Sequence, residues 1–398
     1  MSVNNDFSKE KCLIIYGAGV YSKMVFEKCI YENTDISHFI VAVTEKKGNQ
    51  NALFDIPVVD IRELKEKHMT ATVLIAMSLD KEITIREDLC RLGFRNMYSI
   101  SDDRYKMWIN DVYYKHYVDP YIKTVRQVCI DQGINEKETD QYVKEALNAI
   151  KDQRKINLAR LVVVLGTKCS LRCKECNNLI PYFKEKRDMD KERLIDSLEI
   201  FLNEVHTLLR CELVGGEPFL SNNLKDVLHF LINKKNVYQI EITTNGTIVP
   251  KDELIVLLQN SKVKVRISNY GELVNSDSLV DFLKKNQIHY QMLETGKWVS
   301  SGGVHKRGRS REMLKMYYDR CSSAYYCKTL FAGKLFSCAR AASLYELGYM
   351  KEKEYIEIST KVTGEAIKSF WMMDHSEACD HCDITIEDKK WIEPAEQL

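Results

Sequence analysis

The chain has 398 residues, 45% of them hydrophobic, and a formal net charge of +1. That is enough apolar material for two cores or more, and a charge so near zero excludes the strong field that nucleic acid or an anionic lipid surface attracts. Its start, MSVNNDFSKEKC, has no apolar signal region and no run is long enough to span a membrane, so thirteen cysteines point to a reducing, cytoplasmic setting and to metal rather than disulfides.

Residues 1–102 read as a small Rossmann-like unit. KCLIIYGAG (11–19) is a strand ending in a glycine turn, followed by a helix, VYSKMVFEKCIY. HFIVAVTE (38–45), IPVVDIREL (56–64) and TVLIAMS (72–78) continue the pattern; a helix then reaches Leu92 and MYSI closes it. Alternating strands and helices predict a parallel sheet. The glycine fingerprint is partial: Gly17 and Gly19 are present, but Ser22 stands in the third place. A turn that needs its glycines only for its own geometry reads the same way. With the short sheet and the GF-x-N segment, the YGAG-plus-helix pattern resembles the N-terminal domains of sugar-modifying enzymes. That resemblance implies a nucleotide-sugar near Gly17, Gly19 and Thr44 or Glu45.

Residues 103–158 have helical spacing, almost no glycine and one proline, Pro120, so two or three linking helices are expected rather than a flexible tether. Four β-rich runs follow: LVVVLG (161–166), CELV (211–214), YQIEI (238–242) and VKVRI (263–267). Amphipathic helical stretches separate them near 189–206, 222–235, 251–260 and 276–286. Each run leads into a polar loop. The loops are GTKCSLRCKECNN, Gly215-Gly216-Glu217-Pro218, Thr243-Thr244-Asn245-Gly246 and Ser268-Asn269-Tyr270-Gly271. Strand, loop and helix in repetition predict parallel βα units. In barrels of such units the loops at the C-terminal strand ends carry the chemistry.

Cys169, Cys173 and Cys176 have the spacing C-x3-C-x2-C. Three thiolates so close together suit three corners of a cubane iron–sulfur cluster, which normally takes four cysteines. One iron then stays open to a small molecule. Zinc sites instead repeat C-x2-C pairs at a distance. Together with the GGEP and TTNG loops, the run resembles the radical S-adenosylmethionine (radical SAM) superfamily over roughly 160–310. The resemblance implies an α/β fold with a partial (β/α)6 TIM-like barrel over 159–315. In it Cys169, Cys173 and Cys176 hold a [4Fe-4S] cluster, and S-adenosylmethionine (SAM) chelates its open iron. Gly215, Gly216, Glu217 and Pro218 would line the SAM amino group, and Thr244, Asn245 and Ser268 belong to the same implied cofactor site. An electron from the cluster would cleave SAM to methionine and a 5′-deoxyadenosyl radical, which abstracts hydrogen from the substrate. A reducing partner such as a flavodoxin or ferredoxin is implied. Taken alone, these residues leave alternatives open. Glu217 favours a helix start near Ser221, the Thr-Thr-Asn and Ser-Asn segments suit ordinary turns, and Arg266 faces either the barrel mouth or the outside.

Downstream, CKTLFAGKLFSC holds Cys327 and the G-x4-C pair Gly333 and Cys338, while EACDHCD holds Cys379 and Cys382. Paired cysteines suit tetrahedral zinc. Beside a radical SAM core they resemble the shortened auxiliary-cluster extension of that superfamily, the Twitch domain, here 316–398. This implies a second [4Fe-4S] cluster on Cys327, Cys338, Cys379 and Cys382. Cys321, six residues before Cys327, is the alternative ligand; Cys327 matches the hairpin spacing better, and Cys321 reads as packed. Cys12, Cys29, Cys90, Cys129 and Cys211 lie in apolar stretches as small buried hydrophobes. KWVSSGGVHKRGRS (297–310) reads as a substrate lid or as a solvated connection.

The resemblance implies oxidation or another modification of a small molecule, a carbohydrate or nucleotide-sugar, because Twitch-bearing relatives include enzymes that oxidise alcohols of sugars or cyclitols. A peptide-modifying maturase is the alternative enzyme. A non-catalytic iron–sulfur electron carrier or sensor is a third reading, but it has no use for the GGEP and TTNG loops.

Overall fold

Parallel strands need long crossovers, and this chain supplies them as helices. The computed structural model describes residues 7–10, 12–44, 51–64, 66–109 and 111–398. It divides into two compact units, Met1–Gln153 and Arg154–Leu398. Among the described residues no helix is long and apolar enough to cross a membrane.

The first unit is built from β1 (Leu13–Tyr16), α1 (Val20–Tyr31), β2 (Ile40–Val43), β3 (Ala52–Leu53), β4 (Ile56–Asp60), β5 (Thr72–Ile75), α2 (Leu79–Arg91) and β6 (Met97–Ser99). The sheet order is β3-β4-β2-β1-β5-β6, parallel except for the β3–β4 pair. LIIY and TVLI are buried at every residue, as central parallel strands covered on both faces must be. Ile14, Val73, Ile75, Leu89 and Phe94 form the core.

The strand order reverses beside β1, where Gly17 turns the chain at φ +120°. A Cβ there would lie 2.8 Å from the Ala76 carbonyl oxygen. The Ser22 hydroxyl donates to the Gly17 carbonyl oxygen at 2.9 Å, so the residue in the third fingerprint position ties the turn. Gly19 caps α1 and has open space around it. Thr44 shares a short hydrogen bond with the Tyr16 hydroxyl; Glu45 lies outside the described residues. Gly17→Val is therefore expected to destabilise this unit by about 1–3 kcal/mol, while Gly19→Ser, an accepted N-cap, stays close to neutral. Thermal melts followed by circular dichroism check this. Equal melts for the two variants would contradict the strained turn.

Helices α3 (Asp103–Ile109), α4 (Asp119–Asp131) and α5 (Glu136–Ile150) belong to the same unit, with a π-helical turn at Tyr114–Val118. Arg126 of α4 bridges Glu27 of α1 at 2.7 Å and Asp140 of α5 at 2.8 Å. The helices read from sequence as a connection are thus part of the first unit.

The second unit runs β7 (Asn157–Val164), α6 (Lys191–Glu204), β8 (Thr207–Val214), α7 (Leu224–Ile232), β9 (Val237–Thr244), α8 (Ile255–Leu258), β10 (Val263–Asn269), α9 (Asp277–Lys285), β11 (Tyr290–Glu294) and β12 (Trp298–Val299). It continues through α10 (Arg311–Asp319), α11 (Ser322–Tyr326), β13 (Thr329–Phe331), β14 (Lys334–Phe336), α12 (Ala339–Glu346), β15 (Tyr355–Glu357), α13 (Gly364–Trp371) and β16 (Trp391–Ile392). One sheet has the order β11-β10-β9-β8-β7-β13-β14-β15. β7 to β11 are parallel in simple succession, β13 is parallel to β7, and β14 and β15 are antiparallel. The sixth parallel strand thus comes from the cysteine-rich C-terminal segment and sits on the β7 edge, so that segment shares the sheet. Ala332 and Gly333, at φ 48° and 78°, make the two-residue turn between β13 and β14, which asks for left-handed backbone at both positions.

The two faces of the sheet differ. Leu161, Val163, Cys211, Leu213, Ile240, Ile242, Val265 and Ile267 are fully buried on one. The register puts Arg160 beside Arg210, Glu212 beside Glu241, Lys264 beside Glu241 and Arg266 beside Thr243 on the other.

Candidate functional site

β7, β8, β9 and β10 all end at one cleft of about 700 Å³. Cys169, Cys173 and Cys176 line it, with Gly215, Gly216, Thr244, Asn245 and Ser268. Why the glycine pair is needed is visible in the packing. A Cβ on Gly215 would lie 2.6 Å from the Gly166 carbonyl oxygen, and one on Gly216 would lie 2.1 Å from the Lys168 carbonyl oxygen and 2.7 Å from Cys169 Cβ. The Gly216 and Glu217 amides donate to the carbonyls of Gly166 and Lys168 at 3.0 and 2.7 Å. The second loop is laid directly on the cysteine loop. Gly216→Ala is therefore expected to force the two backbones apart, at a cost of about 1–3 kcal/mol, and to impair metal loading at the three cysteines. Iron analysis and a melting curve check it; wild-type values for both would contradict the close approach.

Glu217 does not line the cleft. Its buried carboxylate accepts from the Asn245 amide at 2.9 Å, the Thr244 hydroxyl at 2.8 Å and the Phe219 amide at 3.2 Å. Burial pushes this carboxyl up, and those hydrogen bonds act against it. Pro218 begins the short turn Pro218–Leu220 and is also buried away from the cleft. Glu217 holds the second loop to the third. Asn245 touches Cys169, its side-chain amide donating to Cys169 Sγ at 3.6 Å. Tyr270 and Trp298 stack edge-to-face at 5.6 Å on the cleft wall. Asn269 turns to the sheet edge and binds the Glu294 carboxylate.

Burial pushes the three thiols up, Cys169 to about 11, so a cation among them is what would make them thiolates. Three cysteines and no fourth line the cleft. Among the described residues no three His, Cys, Asp or Glu side chains converge closely enough to hold a single ion. The thiols surround a space, and the donor set fits a cluster that brings its own irons and sulfides and keeps one corner open.

Two features of this site carried no signal in the motifs. The Lys174 amide donates to the Glu396 carbonyl at 2.7 Å and the Leu398 amide to the Arg172 carbonyl at 2.9 Å, and the Gln397 side chain donates to Cys173 Sγ at 3.6 Å. Residues 396–398 thus clasp the cysteine loop from more than 220 residues away in sequence. The 297–310 loop is the other. Glu175 accepts from the Ser300 hydroxyl and the Ser301 amide, both at 3.0 Å, and from the Ser301 hydroxyl at 2.8 Å. At its other end Arg309 donates to the carbonyls of Cys379 and Cys382 at 2.8 and 2.7 Å, and Asp380 accepts the Gly308 and Arg309 amides. The segment whose sequence suggests a lid or a solvated connection ties the two groups of cysteines together. The charges that do so, Glu175, Arg309 and Asp380, were the available signal.

The second group is Cys321, Cys338, Cys379 and Cys382, which line one small cavity with Tyr318 and Arg340. Burial pushes Cys338 up to about 12 and raises Cys321 and Cys379 as well. Cys327, expected as a ligand here, does not line the cavity, and Cys321 stands in its place. The reason is α11. Cys321 caps its start and Cys327 its end, so the two thiols leave opposite ends of one helical turn. Two residues further on, Thr329 pairs with Val162, which carries Cys327 toward the polar face of the sheet. Its charged neighbours include Arg160, Glu212 and Arg266, and it also interacts electrostatically with Cys321 and Cys338. Lys328, wholly buried, donates to the Tyr318 hydroxyl at 2.5 Å and the Ala324 carbonyl at 2.9 Å, and burial pushes its ammonium down to about 7.

No family model matches the chain. It is 28% identical over 108 residues to the probable GTP 3′,8-cyclase of Methanococcus aeolicus, which is 26% of this chain and 34% of that one. The chain therefore spans about a third of the curated relative it matches. Among solved structures it is similar to BtrN in complex with AdoMet and 2-DOIA, at 14% identity over 61% of this chain and 100% of that one, with a TM-score of 0.38. It is also similar to anSMEcpe with bound AdoMet and a Kp18Cys peptide, at 14% over 56% and 82%, TM-score 0.35. A third is Streptococcus suis SuiB bound to S-adenosylmethionine, at 17% over 40% and 37%, TM-score 0.28. Scores this low do not amount to one shared overall fold.

Proposed function

We propose that the chain is a radical SAM enzyme. The observation that supports this most is the ring of Cys169, Cys173 and Cys176 around a cleft floored by the Gly215-Gly216 backbone and walled by Asn245 and Ser268. In this reading the three cysteines hold a [4Fe-4S] cluster whose open corner binds SAM, and together the two supply a hydrogen-abstracting radical when reduced. The protein's own part is aim and exclusion. Gly215 and Gly216 bring backbone to the cofactor, Glu217 locks the second loop to the third, and Tyr270 and Trp298 shield one side from water. Cys321, Cys338, Cys379 and Cys382 are proposed to hold the auxiliary cluster.

The substrate is proposed to be a carbohydrate or nucleotide-sugar, oxidised or otherwise modified. A sheet face carrying charged and amide side chains agrees with a polar substrate. A nucleotide-sugar near Gly17 and Gly19 in the first unit belongs to the same proposal. Anaerobic assay of reconstituted protein with SAM and dithionite tests the central reading, because 5′-deoxyadenosine must form. An iron-loaded protein that binds no SAM would leave an electron carrier or sensor instead.

A further inference from the structure

Across β7 to β10 the polar face of the second sheet brings together the cationic side chains Arg160, Arg210, Lys264 and Arg266 and the acidic ones Glu212 and Glu241. Arg210, Glu212, Glu241 and Lys264 are each 7% exposed or less. Arg160 pairs closely with Glu212 and lies 4.0 Å from Glu241. Glu241 also takes Arg266 at 2.9 Å and Arg210 at 3.6 Å. One carboxylate therefore serves three guanidiniums. Burial pushes Glu212 up, yet Arg160 and Arg266 outweigh it and hold its carboxyl below the usual range.

Two further observations show where a ligand would go. The Nε atoms of Arg160 and Arg266 are buried without a hydrogen-bond partner, and an orphaned donor on a charged group costs more than an ordinary one. Arg266 is also the member next to the cleft. It pairs in register with Thr243 and lies two residues before Ser268, both of which line the cleft, and its side chain is 24% exposed.

We propose that this face binds an acid group of the substrate, a phosphate or a carboxylate, on the guanidiniums of Arg266 and Arg160. The planar fork of arginine matches either group with two hydrogen bonds. The inference rests on the proposed function only in taking the neighbouring cleft as the cofactor's place.

The test uses the full-length, anaerobically reconstituted protein with SAM present, and isothermal titration with inorganic phosphate and, separately, acetate. Saturable binding of one of them is expected, weakened at least about tenfold in Arg266→Met and less in Arg266→Lys, which keeps the charge. Circular dichroism confirms folding of both variants. No binding of either anion to the wild type overturns the inference, and so does equal binding by wild type and Arg266→Met. Loss of SAM affinity together with anion affinity in Arg266→Met assigns the arginine to the carboxylate of SAM and overturns the substrate assignment. Iron content and SAM binding of the wild type, measured on the same sample, report separately on the cofactor reading.

Discussion

Changing Cys169, Cys173 and Cys176 together to alanine is expected to abolish 5′-deoxyadenosine formation under dithionite and to remove about four irons per chain, one cubane's worth. The iron held at the other cysteines should stay. The expectation follows from the placement of the thiols. All three line one cleft, and no other cysteine lines it, so no neighbour can take over a lost position. The sulfur atoms accept from the Leu171 amide and from the Asn245 and Gln397 side chains, and the loop has other anchors. The loop is held by backbone bonds from Gly216, Glu217, Lys174 and Leu398, so the variant should fold. Iron analysis and chromatographic detection of the nucleoside make the test. If the triple variant still formed 5′-deoxyadenosine, these cysteines would not be the centre that acts on SAM.

Strand-and-loop reading reached far into the second unit because each polar loop interrupts a buried, β-branched run. LVVVLG, CELV, YQIEI and VKVRI all lie within or across β7 to β10, and the loops after them meet at one cleft. The placement of β13 was not legible. A three-residue strand carries no periodicity of its own, and its partner β7 lies more than 160 residues earlier in sequence. Glu217 was legible as a residue of the site but not in its task. Its three hydrogen bonds run to Phe219 on its own loop and to Thr244 and Asn245 on another, and only tertiary structure brings the latter two near. The same holds for Gln397 at Cys173 and for Glu175 at Ser300 and Ser301. Sequence alone leaves Arg266 between two faces; the register with Thr243 puts it on the polar one. The sequence spacing that favoured Cys327 over Cys321 measured distance along the chain, whereas α11 stands between them and turns them apart.

That last difference yields the sharpest separation of two neighbouring cysteines. Reconstituted wild-type protein is expected to hold about eight irons per chain, two cubanes of four each. Changing Cys379 and Cys382 together to alanine should lower this to about four, since both line the second cavity. Cys321→Ala should impair loading of that same cavity, because Cys321 is the fourth thiol facing it. Cys327→Ala should keep the wild-type iron content, because Cys327 does not line that cavity. The two positions are six residues apart, so a general loss of folding would affect both variants alike, and the contrast between them isolates the ligand. Iron loss in Cys327→Ala with full loading in Cys321→Ala would reverse the assignment and require α11 to unwind. Zinc near one per chain, with iron already at about four in the wild type, would replace the second cluster by a structural zinc site. In that case the four thiols would have to close in on one ion at Zn–S distances of about 2.3 Å, tighter than any grouping among the described residues.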